Sequence, residues 1–285
     1  MSKGIFEHQR NGKYVSVEGL NIFNIDKGQG EVIVLLPGFF STSYSFRKLI
    51  PILAENFRVL APDYPGIGLS ERTSAVYSHR MLANMIKQYL DTVTEERVHL
   101  VGYDYGCAIS FLLLNTYPEK IKTFTAISPF THLENFTYYT PLFLLHKKVL
   151  GDMLGFTMSK NLLKFVFERY LLNTKLDDET LEDYHFLLFH GEGRKNYLKM
   201  SHNIDRSIYA RKDMEAGMHK MIGGRQILIG ENDRNISFKE LENIKLFLRL
   251  SMQSILPGKR LLMEDSPIDC AIKIESLVKT FSKRT

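Results

Sequence analysis

The sequence predicts an α/β protein in which a mostly parallel sheet of about eight strands is flanked by helices, with a helical cap inserted after the sixth strand. Short apolar segments typical of buried strands alternate with helical patterns near both ends of the chain. Between residues 130 and 221 the strand patterns stop, and large apolar residues recur at helical spacing. We therefore predict a body made of residues 1–129 and 222–285, and a cap made of residues 130–221.

Six of the predicted strands precede the cap. The first two alternate apolar and polar residues, which is typical of a half-exposed hairpin, while the third and fourth are apolar segments that end at Pro-Gly and Pro-Asp. The six strands are predicted at residues 14–17, 21–25, 31–36, 57–61, 98–101 and 124–127, with helices at 47–56, 78–93 and 107–116 between them. After the cap we predict strands at 226–230 and 253–256 and helices at 237–248 and 267–281.

The composition is that of an ordinary globular protein. Of 285 residues, 44% are hydrophobic and 24% are charged, and no apolar run reaches about 18 residues, so we expect no stable membrane insertion. The net charge of +5 is modest and scattered, which argues against a nucleic-acid partner. Cys107 and Cys270 are the two cysteines, and no secretory signal is visible, so we expect a cytoplasmic protein without a disulfide framework.

The turn after the fifth predicted strand carries the main functional signal. Gly102-Tyr103-Asp104-Tyr105-Gly106 lies between an apolar strand and a helix, which is the context of a G-x-S-x-G nucleophile elbow with aspartate at its centre. The glycines allow a tight, strained turn that raises the central side chain above the sheet. Because a carboxylate is ionised at pH 7, it can attack an sp³ carbon without a base to activate it.

Four further motifs accompany this turn. They are LPGFF at residues 36–40, PDYPGIGLS at 62–70, GEND at 230–233 and MEDSP at 263–267. With these motifs the chain resembles the α/β-hydrolase superfamily over nearly its whole length, which implies an α/β-hydrolase fold. The aspartate elbow resembles that of epoxide hydrolases, haloalkane dehalogenases and fluoroacetate dehalogenases. In that branch an aspartate forms an ester with the substrate, and a histidine-activated water hydrolyses it.

This resemblance implies roles for particular residues. Asp104 takes the nucleophile position, Asp233 takes the position that orients the histidine, and the backbone N–H groups of Phe39 and Tyr105 form the oxyanion site. The partner we expect is a small apolar substrate or ligand, and we place its binding residues at Phe40, Tyr103, Phe130 and Tyr209. We predict no metal site and no cofactor.

The sequence departs from the family at its histidines. The family's catalytic histidine lies four residues before a glutamate, and the residue four before Glu264 is Arg260. No histidine follows His219, so a shifted alignment does not supply one. Arginine cannot act as a base, because its pKa is above about 12. If Arg260 occupies the place of the imidazole, it pairs with Asp233 and Asp104 and leaves no group to activate water.

Two further features bear on the substrate. Haloalkane dehalogenases hold the halide with tryptophan N–H groups, but this chain has no tryptophan and carries Tyr105 after the nucleophile position, so ordinary haloalkane dehalogenation is not expected. Epoxide hydrolases use cap tyrosines as donors, and a cap histidine is an alternative base. The tyrosines in or near the cap are Tyr138, Tyr139, Tyr170, Tyr184, Tyr197 and Tyr209, and the histidines are His132, His146, His185, His190, His202 and His219.

Two hypotheses of function remain open from the sequence. In the first, the chain hydrolyses a small apolar ester, epoxide or lactone with Asp104 and Asp233 in the site and unorthodox base chemistry. In the second, it is a catalytically silent relative in which Arg260, Asp233 and Asp104 form a charge network beneath a ligand pocket. The oligomeric state is also open, with a homodimer as one alternative.

Overall fold

A computed structural model of the protein describes residues 2–73, 78–129, 153 and 158–282. Its centre is one eight-stranded sheet with the order β1-β2-β4-β3-β5-β6-β7-β8. The strands are β1 (Gly12–Val17), β2 (Leu20–Lys27), β3 (Val32–Leu36), β4 (Arg58–Pro62), β5 (Val98–Tyr103), β6 (Ile121–Ile127), β7 (Gly224–Gly230) and β8 (Ser254–Leu256). The β1–β2 and β2–β4 pairs are antiparallel and the other five pairs are parallel. The predicted α/β class and mostly parallel sheet are therefore confirmed.

The two kinds of strand follow the two sequence patterns. β1 and β2 form the predicted hairpin, and its turn residues Glu18 and Gly19 have φ angles of 47° and 81°. Positive φ at both central positions gives a turn whose twist matches that of the strands. All five residues of β3 and all six of β5 are buried, because helices cover both faces of the parallel part of the sheet.

The helices of the described residues connect these strands or lie over them. They are α1 (Lys3–Asn11), α2 (Leu49–Leu53), α3 (His79–Val93), α4 (Tyr105–Thr116), α5 (Lys160–Val166), α6 (Asp178–Phe189), α7 (Gly193–His202), α8 (Ile208–Lys220), α9 (Phe238–Leu248), α10 (Leu262–Asp265) and α11 (Pro267–Ser282). Short 3₁₀ helices span Ser43–Phe46 and Pro118–Lys120, and a π-helical turn spans Phe167–Leu171.

The first helix, α1, has no counterpart in the sequence prediction. Only Ile5 and His8 of its nine residues are buried, and Ile5 and Phe6 are its only large apolar residues, which are too few to show a helical repeat. Its start is fixed locally by Ser2, whose hydroxyl accepts the backbone N–H of Ile5 at 3.1 Å.

The described part of the predicted cap, residues 153 and 158–221, is helical and contains no strand. Its last helix, α8, lies directly on the body helix α4. A Cβ added to Gly217 of α8 would lie 1.8 Å from the carbonyl oxygen of Phe111, so the two helix backbones touch at this glycine. The boundary between body and cap stays a prediction. Among the described residues, no helix is both long enough and apolar enough to span a bilayer.

Candidate functional site

The site is built around the sharp turn between β5 and α4. Asp104, between them, has φ 49° and ψ −113°, a left-handed region that costs a non-glycine residue about 1–3 kcal/mol. Its backbone N–H donates to the carbonyl of Ile127 in β6 at 3.0 Å, which anchors the turn to the sheet. The turn therefore holds the Asp104 side chain above the carboxyl ends of β5 and β6.

The two glycines of the turn are required by close packing. A Cβ on Gly106 would lie 2.4 Å from the carbonyl oxygen of Leu36 in β3, and one on Gly102 would lie 2.8 Å from the hydroxyl of Ser110. These distances are too short for a side chain, so the start of α4 packs against the end of β3 at Gly106, and against β5 at Gly102, only with glycine at each position. These close approaches explain why Gly102 and Gly106 flank Asp104 in the motif.

The carboxylate of Asp104 accepts hydrogen bonds from two directions. The backbone N–H of Phe39 donates to its Oδ2 at 2.9 Å. Arg260 donates to its Oδ1 from Nε at 2.9 Å and from Nη2 at 2.5 Å. Asp104 is only 2% exposed, so all three bonds are shielded from water, which strengthens them.

Arg260 also binds the second aspartate of the predicted site. Its Nη1 donates to Asp233 at 3.1 Å (Oδ2) and 3.5 Å (Oδ1), and the Asp233 side chain is fully buried. The guanidinium therefore lies between two carboxylates. Asp104, Asp233 and Arg260 come from separate parts of the chain, and the structure brings them together in one buried ion network.

Neighbouring contacts hold the Arg260 loop in place. Ser128 donates its hydroxyl to the backbone carbonyl of Arg260 at 3.1 Å. Asp265 accepts the backbone N–H of Lys259 at 2.9 Å and those of Asn173 and Thr174 at 3.0 Å. The loop is thus tied both to the end of β6 and to the segment that follows α5.

Glu264, four residues after Arg260, forms a second buried ion cluster. Its side chain is fully buried and binds Arg47 (Nη2 to Oε2, 3.1 Å), Lys48 (2.9 Å) and the hydroxyl of Tyr184 (2.6 Å). No sequence pattern predicted this cluster. Arg47 and Tyr184 belong to segments more than 130 residues apart, so the local pattern around Glu264 contained no signal for it.

Buried polar contacts also fix the two loops beside the turn. The hydroxyl of Tyr64 donates to the carbonyl of Pro37 at 2.9 Å. Asp63 accepts the backbone N–H groups of Ser43 at 2.7 Å and Leu69 at 2.9 Å, and burial raises its pKa to about 6. These contacts position the loop after β3. In this loop Phe39, two residues after Pro37, donates its backbone N–H to Asp104.

A group of aromatic rings lies beside the turn at Asp104. The ring centroid of Phe39 lies 5.6 Å from that of Tyr105 and 4.8 Å from that of Tyr197, and Phe40 lies 5.0 Å from Tyr197. Tyr197, on α7, was one of several cap tyrosines in the sequence analysis and had no signal that separated it from the others. Phe39, whose backbone N–H bonds Asp104, and Tyr105, which follows it, are therefore packed in one aromatic group.

The four residues predicted to bind a ligand have different surroundings. Phe40 is buried in this aromatic group, with φ 52°. Tyr103 is buried at the end of β5 beneath the loop at Gly38. Tyr209 is 73% exposed on the first turn of α8, so its ring lies on the outside of the protein, away from the buried aromatic group. Phe130 lies outside the described residues.

Three of the four described cap histidines make contacts elsewhere, and the fourth, His202 at the end of α7, lines a cavity with Phe189 and Leu198. His185 bonds the carbonyl of Met158 at 3.2 Å, His190 stacks on Phe186 and His219 packs on Phe247. His132 and His146 lie outside the described residues. Cys107 donates its thiol to the carbonyl of Gly102 at 3.0 Å, and burial raises its pKa well above the usual value, so it packs as a neutral group.

The sequence and the fold are similar to those of known proteins. Residues 31–162 match the sequence model of a family described as "alpha/beta hydrolase fold". The soluble epoxide hydrolase of Corynebacterium sp. (strain C12) is 32% identical over 111 residues, 39% of this chain and 37% of that protein. The cis-3-alkyl-4-alkyloxetan-2-one decarboxylase of Shewanella oneidensis is 32% identical over 113 residues, 38% of this chain and 36% of that protein. Among the first curated relatives, the match spans from 31% to 62% of their own length.

A solved structure matches over nearly the whole chain. The haloalkane dehalogenase DbeA of Bradyrhizobium elkani aligns with a TM-score of 0.81 over 96% of this chain and 99% of that one, at 17% identity. At that identity the likeness concerns the fold alone. Taken with the sheet order, the glycine-flanked turn and the match of residues 31–162, it shows that this chain has an α/β-hydrolase fold.

Proposed function

We propose that this chain binds a small apolar molecule beside Asp104 and does not hydrolyse it through an aspartyl ester. The observation that carries this proposal is the Arg260 guanidinium, which binds Asp104 and Asp233 at once. In the relatives that the sequence resembles, this place belongs to the base that activates water. A guanidinium has no acceptor site and cannot give up a proton near pH 7, so it cannot perform that step.

Arg260 also blocks the first step of an ester mechanism. Oδ2 of Asp104 takes the N–H of Phe39, which is the predicted oxyanion donor, so Oδ1 is the oxygen left for attack. A carboxylate oxygen has about two lone-pair sites. Nε and Nη2 of Arg260 both donate to Oδ1 and occupy both sites. Attack by Asp104 therefore requires Arg260 to withdraw from a buried, charge-assisted pair.

A second candidate function is a hydrolase in which Asp104 still attacks an ester, epoxide or lactone. The observation that favours it is the retained turn, in which Asp104 keeps φ 49° and faces the N–H of Phe39. Such strained turns are stable only where the surroundings hold them in place. This function needs a base from a residue other than Arg260.

One experiment separates the two functions. The protein is incubated with styrene oxide, a haloacid, an activated ester and a cis-3,4-dialkyl oxetan-2-one, and intact-protein mass and released products are measured. Wild type, Arg260→Gln and Arg260→His are compared, each with and without Asp104→Asn. Arg58→Gln, which removes an arginine from a pair with Asp26 away from the site, is the matched control.

We expect neither adduct nor product from wild type or from Arg58→Gln. Arg260→Gln frees Oδ1 without supplying a base, so we expect a stable adduct that Asp104→Asn abolishes. Arg260→His supplies a base beside Asp233, so we expect product release. Product formed by wild type and lost with Asp104→Asn contradicts the proposal and establishes the second function. If Arg260→Gln fails to fold, the pair Arg260→Gln/Asp233→Asn tests the same step with one buried charge fewer.

A further inference from the structure

His79 is a buried histidine with one of its two ring nitrogens unused. It is the first residue of α3 and is completely buried. Its Nδ1 accepts the backbone N–H of Asp205 at 3.3 Å. Its Nε2 has no hydrogen-bond partner in the part of the chain that the structure describes. Buried polar groups in native proteins are nearly always paired, so this nitrogen requires an explanation.

The protonation of the His79 ring follows from its surroundings. Burial lowers its pKa from 6.5 to about 3, so the ring is neutral at pH 7. Because Nδ1 acts as an acceptor, the single ring proton lies on Nε2. Nε2–H is thus a buried donor without an acceptor among the described residues, which carries the energetic cost of its lost hydration. The same cost makes it a strong partner for any acceptor that reaches it.

His79 lies beside the candidate site, at a junction of two parts of the fold. Its ring packs on that of Tyr105, with centroids 4.6 Å apart, and Tyr105 directly follows Asp104. Asp205, which holds Nδ1, belongs to the loop between α7 and α8, in the predicted cap. Ligand pockets form preferentially at such junctions, and Asp205 occupies only Nδ1, so Nε2 stays available to a ligand.

We propose that the Nε2–H of His79 donates a hydrogen bond to a ligand, so that the site selects small apolar molecules that carry one carbonyl or ether oxygen. The inference rests on the proposed function, in which the ligand is a small apolar molecule. It adds that this ligand carries an oxygen acceptor. A neutral donor requires no anion, so a neutral oxygen satisfies it. Esters, epoxides and lactones share such an oxygen, whereas hydrocarbons of the same shape lack it.

A matched pair of probes tests this selectivity. Acetophenone and α-methylstyrene have nearly the same shape and differ in C=O against C=CH₂. Dissociation constants are measured by ligand-observed NMR titration for wild type, His79→Phe and His79→Gln. His99→Phe is the matched control, because His99 is another buried histidine, on β5, whose ring bonds Thr123 at 2.8 Å.

We expect wild type and His99→Phe to bind acetophenone at least about 5-fold more tightly than α-methylstyrene, the ratio for one buried hydrogen bond. His79→Phe keeps an aromatic ring without a donor, so we expect the two constants to agree within about 2-fold. His79→Gln places an amide N–H near the position of Nε2 and keeps part of the preference. In ¹⁵N-labelled wild type, the His79 Nε2–H signal shifts with acetophenone and not with α-methylstyrene.

The unfavourable outcomes are distinguishable. Equal binding of both probes by wild type, or a preference for acetophenone that persists in His79→Phe, overturns the role of His79. The proposed binding of a small apolar molecule beside Asp104 is then retained. Binding of neither probe by wild type overturns the proposed function and, with it, the role of His79. If His79→Phe does not fold, an unshifted Nε2–H signal in wild type at saturating acetophenone overturns the role by itself.

Discussion

Removal of the Arg260 cation tests whether the buried ion network is as tightly coupled as its geometry indicates. In Arg260→Gln, Asp104 and Asp233 both lose their cation, although their side chains are 2% and 0% exposed. Breaking a buried pair by removing one partner costs about 3–5 kcal/mol, because the remaining charge is left without compensation. Two carboxylates depend on this one guanidinium, so we expect a loss near the upper end, about 4–5 kcal/mol.

The matched variants make the prediction specific. Asp233→Asn leaves Arg260 paired with Asp104, so we expect a loss of only about 1–2 kcal/mol. The double variant Arg260→Gln/Asp233→Asn leaves one buried charge instead of two, and we expect it to be more stable than Arg260→Gln alone by about 1–3 kcal/mol. Arg58→Gln breaks a pair in which Arg58 is 29% exposed, with an expected loss of about 1 kcal/mol or less.

Urea unfolding followed by far-UV circular dichroism measures these differences, since the chain has no tryptophan for fluorescence. The reasoning is refuted if Arg260→Gln costs about the same as Arg58→Gln. It is also refuted if the double variant is less stable than Arg260→Gln, because the second carboxylate then does not repel the first.

Three further predictions concern the scaffold. Burial lowers the pKa of His8 from 6.5 to about 4. Between these pH values the unfolded state binds one more proton than the folded state, so stability falls as the pH drops from about 6.5 to 4, by up to about 3 kcal/mol. Melting curves across this pH range test the prediction. His8→Gln should flatten the dependence of stability on pH. Gly106→Ala places a Cβ 2.4 Å from a backbone carbonyl of β3 and should lower the free energy of unfolding by about 1–3 kcal/mol; an unchanged urea midpoint would contradict this. Glu264→Gln removes the buried anion that Arg47 binds and should lower the free energy of unfolding by about 3–5 kcal/mol. Glu7→Gln, at the exposed pair with Lys3, should lower it by less than about 0.5 kcal/mol. Equal losses in the two variants would refute this contrast.

Local chemistry explains which features the sequence predicted well. The parallel strands were predictable because burial on both faces demands continuous apolar residues. The turn at Asp104 was predictable because its two glycines meet backbone and side-chain atoms within 3 Å. The helix α1 was not predictable, since it exposes most of its surface and has too few apolar residues to show a helical repeat. The exposure of the Tyr209 ring could not be predicted from the sequence either. At the same helical spacing a ring is buried or exposed depending on which neighbouring element covers it.

The sequence by itself determined the fold class, the superfamily resemblance and the absence of a histidine after residue 219. These follow from residue type and spacing, which act over a few residues at a time. Only the tertiary structure decided how Arg260 is used, because its partners lie 156 and 27 residues away. It also decided that His79 meets Asp205 across 126 residues. Contacts of that range depend on how the strands and helices pack, and no local pattern encodes the direction in which a buried side chain finally points.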